Sequence, residues 1–214
     1  MNHKKLKLTT LYKLNKVFYN KMFTLNIDIL YIITEFLTIS NQINLKKINK
    51  YHYNNLKIIC FGINYYNKTM TQEIINKFPD LRKLYMTDSL YSLNLNHLSN
   101  LSFLKIDGLC SIGHEDICNL KHIKYLDVSY NFNVKQLPDC DIRILHINGK
   151  SCQISDNNIK DLNLEELHCC FNNNITKIAH FKNLEKLTIS KDSPINLNDT
   201  KYLPKLTSSK IVII

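Results

Sequence analysis

Eight segments of the chain repeat one apolar pattern, and that repetition limits the fold more than any other feature. The pattern covers nine residues: the first, fourth and sixth are apolar and the ninth is Asn or Cys. It begins at Leu56, Leu81, Leu101, Ile123, Ile142, Leu164, Leu184 and Leu203, with successive starts 25, 20, 22, 19, 22, 20 and 19 residues apart. Of the 24 apolar slots, only Ser208 is neither aliphatic, Met, Phe nor Cys, whereas a hydrophobic content of 44% would fill about 11. Alternation of this kind marks a short strand with an inward and an outward side, and such a strand buries its apolar side only when the next unit stacks against it. An α/β solenoid of about seven or eight stacked units over residues 56–214 is therefore expected.

The ninth position is a turn position. Asn64, Asn131 and Asn172 fall on it, where a side-chain amide can satisfy backbone groups as the chain leaves the strand. Asp192 is expected to substitute for Asn there. Ser89, Leu109 and Lys150 depart from the pattern, but Cys110 with Ile112 and Cys152 with Ile154 restore it one or two residues later. The third, fifth and seventh positions point away from the core. In the middle units they offer Lys83, Tyr85, Phe103, Lys105, Tyr125, Asp127, Ile144, His146, Glu166 and His168 as candidate target-binding residues. Tyr85, Phe103 and Tyr125 stand on neighbouring units, and aromatic groups on a face that should be polar are what recognition surfaces use.

The repeat resembles that of leucine-rich-repeat proteins with short units of about 20 residues. The resemblance implies a horseshoe whose parallel strands line a concave face, and a protein target held on that face. No catalytic residue, cofactor or metal is implied.

Residues 23–55 do not follow the repeat. Leu25, Ile29, Ile32, Ile33, Phe36 and Leu37 recur at helical spacing, and Leu45, Ile48 and His52 begin a second helical face. Asp28 sits in the first turn, where the helix dipole favours a carboxylate. Leu25, Asp28, Ile29, Leu30, Ile33, Phe36 and Leu37, followed by Leu45, Ile48 and Lys50, resemble an F-box. Asn26 stands at the usual Pro, and His52 beside Tyr53 stands at the usual Trp. The resemblance implies that Leu25, Asp28, Ile29, Leu30, Ile33, Phe36 and Leu37 dock the Skp-type adaptor of a cullin ubiquitin ligase. The repeats would then hold a protein target near the activated ubiquitin. An alternative is a helical cap on a plain repeat scaffold with no ligase link, and both can hold at once.

Composition bears mainly on origin. The chain has 28 Asn, 28 Ile and 26 Lys against 2 Arg, 1 Ala and no Trp, an inflation of residues with AT-rich codons. Together with the F-box and repeat order it resembles proteins of amoeba-infecting giant viruses or of AT-rich amoebae. The net charge of +10 raises nucleic-acid binding as a third reading. Only Arg82 and Arg143 could supply a guanidinium fork, and beyond the first 21 residues the Lys are scattered, so a nucleic-acid partner is not expected.

Residues 1–22 read as a basic N-terminal helix or tail, with a mitochondrial presequence as the alternative. No segment resembles a signal peptide or a membrane span, and seven Cys at irregular spacing do not form a secreted disulfide framework. A cytoplasmic protein is expected, in the host cytoplasm if the origin is viral. Cys110, His114, Cys118 and His122 are spaced as metal ligands on one helix face, but they would span about 18 Å, too far for one tetrahedral ion. Cys169 and Cys170 are expected to face the core and the outer side respectively, without redox chemistry.

Overall fold

The computed structural model describes residues 39–47, 58, 60–61, 71–87 and 91–214. The chain divides into two compact units, Met1–Ile59 and Cys60–Ile214. In the first, helix α1 (Ile39–Lys46) buries Gln42 and Leu45. The basic segment 1–22, the F-box-like residues Leu25, Asp28, Ile29, Leu30, Ile33, Phe36 and Leu37, and Ile48, Lys50 and His52 lie outside the described residues.

The second unit is an α/β arrangement built on one all-parallel sheet of eight strands in chain order. The strands are β1 (Cys60–Phe61), β2 (Lys83–Tyr85), β3 (Phe103–Lys105), β4 (Tyr125–Asp127), β5 (Ile144–His146), β6 (Glu166–His168), β7 (Lys186–Ile189) and β8 (Ile211–Ile213). From β2 to β7 the register aligns the fourth position of every repeat: Leu84, Leu104, Leu126, Leu145, Leu167 and Leu187 pair rung to rung and all are fully buried. A fully buried Leu contributes roughly 1.5–3 kcal/mol, and here each one also forms a wall for the next. No described helix is long and apolar enough to cross a membrane.

The two terminal units fall out of the expected frame. Cys60 pairs with Lys83 and Phe61 with Leu84, which moves the first unit's opening position from Leu56 to the buried Ile58. At the other end the strand is Ile211–Ile213, paired with Leu187–Ile189, and does not lie over Lys205–Thr207. Leu203 and Leu206 are instead buried in the turns that lead towards the strand, as Phe181 and Leu184 are one unit earlier. A short 3-10 turn at Ser208–Lys210 then adds the extra residues.

Between strands the chain returns in two alternating ways. Helices α2 (Gln72–Asn76), α3 (His114–Ile117) and α4 (Asp156–Ile159) precede β2, β4 and β6, and a 3-10 helix at Leu197–Tyr202 precedes β8. Ile75, Ile117 and Ile159, 42 residues apart, are their fully buried anchors. Among the described residues, no helix lies in the returns to β3, β5 and β7. The turn residues alternate in step. Cys110 and Cys152 are buried in the units of β3 and β5, and Asn131 and Asn172 in those of β4 and β6. The structural unit is therefore a pair of rungs of about 42 residues.

The buried Asn residues stitch one rung to the one before. Asn131 Nδ2 donates to the carbonyls of Ile106 (2.9 Å) and Ile112 (3.1 Å), and its Oδ1 accepts from the amides of Asn133 and Val134. Asn172 repeats the arrangement on Ile147 (3.0 Å), Ile154 (3.1 Å) and the Asn174 amide. Asp192 does not take this role. It is exposed, and Ser193 fills the position through a hydroxyl that accepts from the Ile195 amide.

One position earlier, the strand exit requires a left-handed backbone. Gly108 (φ 72°), Tyr130 (φ 60°), Gly149 (φ 98°) and Phe171 (φ 59°) occupy it in four successive units, glycine alternating with an aromatic residue. The Tyr130 ring lies over Gly149, so that a Cβ built there would clash with Tyr130 Cδ1. Gly149→Ala is expected to cost about 2 kcal/mol through positive φ and this clash together. In urea unfolding the cost should shrink in a Tyr130→Ala background, because only the φ term remains. An equal cost in both backgrounds would show that the ring does not constrain the glycine.

Candidate functional site

Strands β2 to β7 are only three or four residues long, and each presents its first and third residues on the side of the sheet away from the Leu column. The register forms two outward columns. Lys83, Phe103, Tyr125, Ile144, Glu166 and Lys186 make the first; Tyr85, Lys105, Asp127, His146, His168 and Thr188 make the second. All ten candidate target-binding residues thus lie on one face, and nine are partly exposed. Asp127 is buried, its side chain only 4% exposed, and is held by its neighbours before any ligand arrives.

The aromatic residues of this face form one unbroken row that crosses between the columns. Ring centroids are 4.7 Å apart from Tyr85 to Phe103, 3.9 Å from Phe103 to Tyr125, 5.0 Å from Tyr125 to His146 and 4.0 Å from His146 to His168. Phe103 and Tyr125 are stacked with 6° between their planes. The strand spacing of about 4.8 Å makes this possible, since rings on adjacent rungs must either stack or splay. The Tyr125 hydroxyl lies 3.3 Å from His146 Nδ1.

Charges on the face are matched. Lys105 Nζ is 2.9 Å from both Asp107 Oδ2 and Asp127 Oδ2, and Lys186 Nζ is 3.1 Å from Glu166 Oε2. Asp127 Oδ1 also accepts from the Ser129 amide, and Asp107 Oδ1 from the Thr87 hydroxyl. Burial alone would lower the Lys105 pKa, but the hydrogen bonds that its ammonium donates to Asp107 and Asp127 outweigh it and the ammonium is held charged. Burial, with Asp127 nearby, pushes the Tyr125 hydroxyl up to about 12. For His146, burial and then the neighbouring His168 push the pKa down to about 4, and burial with Lys186 lowers His168 as well. Both rings are neutral at neutral pH. His168 Nε2 is buried without a hydrogen bond; its neighbour Glu166 Oε2 is 3.6 Å away.

A second ladder runs along the seventh position. Asn148 donates from both its amide and Nδ2 to Ser129 Oγ, the Cys170 amide donates to Asn148 Oδ1, and the Phe171 amide donates to Ser190 Oγ. Cys170 is consequently buried, 6% exposed, and does not line the outer face as its strand position suggested. Burial raises the pKa of both Cys169 and Cys170, leaving inert thiols.

The Cys110, His114, Cys118 and His122 group does not share a helix. Helix α3 spans only His114–Ile117, Cys110 is buried in the preceding turn, and His114 Nδ1 is 3.0 Å from the Gln136 carbonyl. Among the described residues no cluster of three His, Cys, Asp or Glu could hold a metal.

Two further rings escaped the sequence reading. Tyr130 and Phe171 are 48% and 41% exposed at left-handed positions that Gly108 and Gly149 occupy in the intervening units. Their alternation with glycine at a spacing of 41 residues was the available signal. Compared with protein-family models, curated proteins and solved structures, the chain matches none.

Proposed function

We propose that the chain is a protein-interaction adaptor of the leucine-rich-repeat class, the substrate-recognition subunit of a cullin-type ubiquitin ligase. The observation that carries the target-binding half is the unbroken row Tyr85–Phe103–Tyr125–His146–His168 on the outer face of the sheet. In the horseshoe reading this face is the concave one. Rings locked against each other lose little rotamer freedom on binding, so their burial by a partner is not offset by ordering costs.

The charge pattern supports a protein over a nucleic acid as the partner. Lys105 and Lys186 on the outer face, and Lys124 and Lys210 beside it, are each within 3.3 Å of a carboxylate, which weakens the hold these four lysines would have on a phosphate backbone. The ligase half rests on the F-box-like residues Leu25, Asp28, Ile29, Leu30, Ile33, Phe36 and Leu37 and on their order before the repeats. In this reading the chain acts in the cytoplasm, needs no cofactor and makes or breaks no covalent bond. It raises the target's effective concentration near the charged ubiquitin carrier.

The ligase half is tested with purified components. A Skp-type adaptor should co-elute with the full chain, and the Ile29→Lys, Leu30→Lys double variant should lose at least tenfold in affinity while keeping the wild-type unfolding curve. Equal capture by the double variant, or none by the wild type, would leave a repeat scaffold without a ligase link.

A further inference from the structure

Of the 28 Asn in the chain, only Asn148 precedes a glycine. Such a step carries its own nucleophile, because glycine has no side chain to crowd the approach of its backbone nitrogen to the preceding side-chain amide. When the Gly149 nitrogen bonds to Asn148 Cγ it gives up its proton, the Cγ–Nδ2 bond breaks, and Nδ2 leaves with that proton as ammonia. Water then opens the cyclic imide at either carbonyl, which leaves an aspartate or an isoaspartate at position 148. Nothing is oxidised or reduced, and water is the sole co-reactant.

The fold blocks every part of this step. Asn148 Nδ2 donates to Ser129 Oγ at 3.0 Å, its Oδ1 accepts from the Cys170 amide at 2.8 Å, and the attacking Gly149 nitrogen donates to the Cys170 carbonyl at 2.7 Å. Gly149 is buried, with the Tyr130 ring over it. The side chain is thus held between the rungs of β4 and β6, and ring closure needs these hydrogen bonds broken together. At a factor of about five for each, the closed fold should slow the reaction roughly a hundredfold. Asp107 and Gly108 take the equivalent place two rungs earlier, where the Gly108 amide donates to the Ser129 carbonyl at 2.8 Å. There the electrophile is a carboxylate held charged by Lys105, a poorer target than an amide, so Asn148 is the reactive one of the two.

Conversion would not be silent. An isoaspartate routes the main chain through the former side chain and adds one carbon to it just after β5. The Asn148 carbonyl, which accepts from the Tyr130 amide at 2.7 Å, would then belong to a side-chain carboxylate. The rung that carries His146 could not close as before.

We infer that Asn148 and Gly149 form a self-modifying site. It stays intact while the rungs of β4, β5 and β6 are closed, converts irreversibly when they open, and so marks and weakens chains that have opened.

The test follows the full chain in mildly alkaline buffer, native and in urea, by mass spectrometry of the tryptic peptide Ile144–Lys150. The amide-to-acid mass gain at position 148 should build up roughly a hundredfold more slowly in the native chain. Ser129→Ala removes the partner of Nδ2. It should raise the native rate about fivefold and leave the rate in urea unchanged. Converted chains returned to native conditions should unfold at a lower urea concentration than unconverted ones. Equal native and urea rates in the wild type, or no gain in urea, overturn the inference whether or not Ser129→Ala folds. A folded Ser129→Ala with the wild-type native rate, or converted chains with the wild-type midpoint, overturns it as well.

Discussion

Asn131→Leu is expected to destabilise the repeat unit by about 4 kcal/mol, among the largest losses available from one side chain. The residue is fully buried, and its amide serves four backbone groups: the carbonyls of Ile106 and Ile112 in one rung and the amides of Asn133 and Val134 in its own. Leucine fills the volume but leaves all four without partners, each costing about 1–3 kcal/mol before water enters to relieve part of it. Domains are stable by only about 5–15 kcal/mol, so the variant should unfold at a much lower urea concentration. Asn133→Ala removes a single bond to the Cys110 carbonyl and should cost about 1 kcal/mol. If the two variants unfold together, the inter-rung amide does not hold the stack.

The second large effect is a loss of stability in mild acid that depends on His146. Its pKa is lowered to about 4 in the folded chain against an ordinary value of 6.5, first by burial and then by His168. Asp127 pulls the other way from 3.7 Å, and Lys105, Glu166 and Tyr125 are the remaining charged or titratable neighbours. A depressed folded value means that the unfolded chain takes up a proton that the fold refuses. The neutral ring's contribution is therefore complete above about pH 6.5 and is lost as the pH falls towards 4. At about 1.4 kcal/mol per pH unit the loss is at most roughly 3 kcal/mol, and solvent screening of the partly exposed ring brings it to about 1–2 kcal/mol. Most of that window lies above the range where Glu166 and Asp156 protonate, since both carboxyls are held below their ordinary values. Urea midpoints measured between pH 7 and 4.5 should fall for the wild type and fall clearly less for His146→Gln, whose remaining slope comes from His168 and His180, both also lowered by burial. Parallel curves would assign the acid sensitivity elsewhere.

The repeat pattern made the centre of the fold legible and its ends less so. Six middle units pair in the register that their Leu positions require, because a slip of one residue would turn each short strand inside out. At the last unit the pattern matched Leu203 and Leu206, which are buried for a different reason, as turn anchors. Ser208, the single polar residue among the 24 apolar slots, was the sign of that mismatch. The two-rung period stayed hidden because every rung satisfies the same apolar rule. The alternation of Gly108, Tyr130, Gly149 and Phe171, in step with Cys110 and Cys152 against Asn131 and Asn172, separates the two kinds.

The candidate face was legible as columns but not as contacts. Strand alternation placed Tyr85, Phe103, Tyr125, His146 and His168 on one side. Their joining into one row depends on side-chain rotation across columns, which residue spacing does not encode. Asp127 has the same outward position as His146 and yet is buried, because Lys105 folds over it from the adjacent rung. The burial of Cys170 has a similar origin in the side chains of Asn148 and Ser190 beside it.

The claim that one chain joins a ligase adaptor to a target through two separate surfaces is tested most directly by a crossed capture experiment. Full-length wild type, the Ile29→Lys, Leu30→Lys variant and a Phe103→Ser, Tyr125→Ser variant are expressed in the same cells, and the proteins bound to each are quantified. The predicted result is a double dissociation: the helical variant loses the Skp-type adaptor and keeps the target, while the ring variant keeps the adaptor and loses the target. If both variants lose the same proteins, or the ring variant loses none, the two-surface account is contradicted.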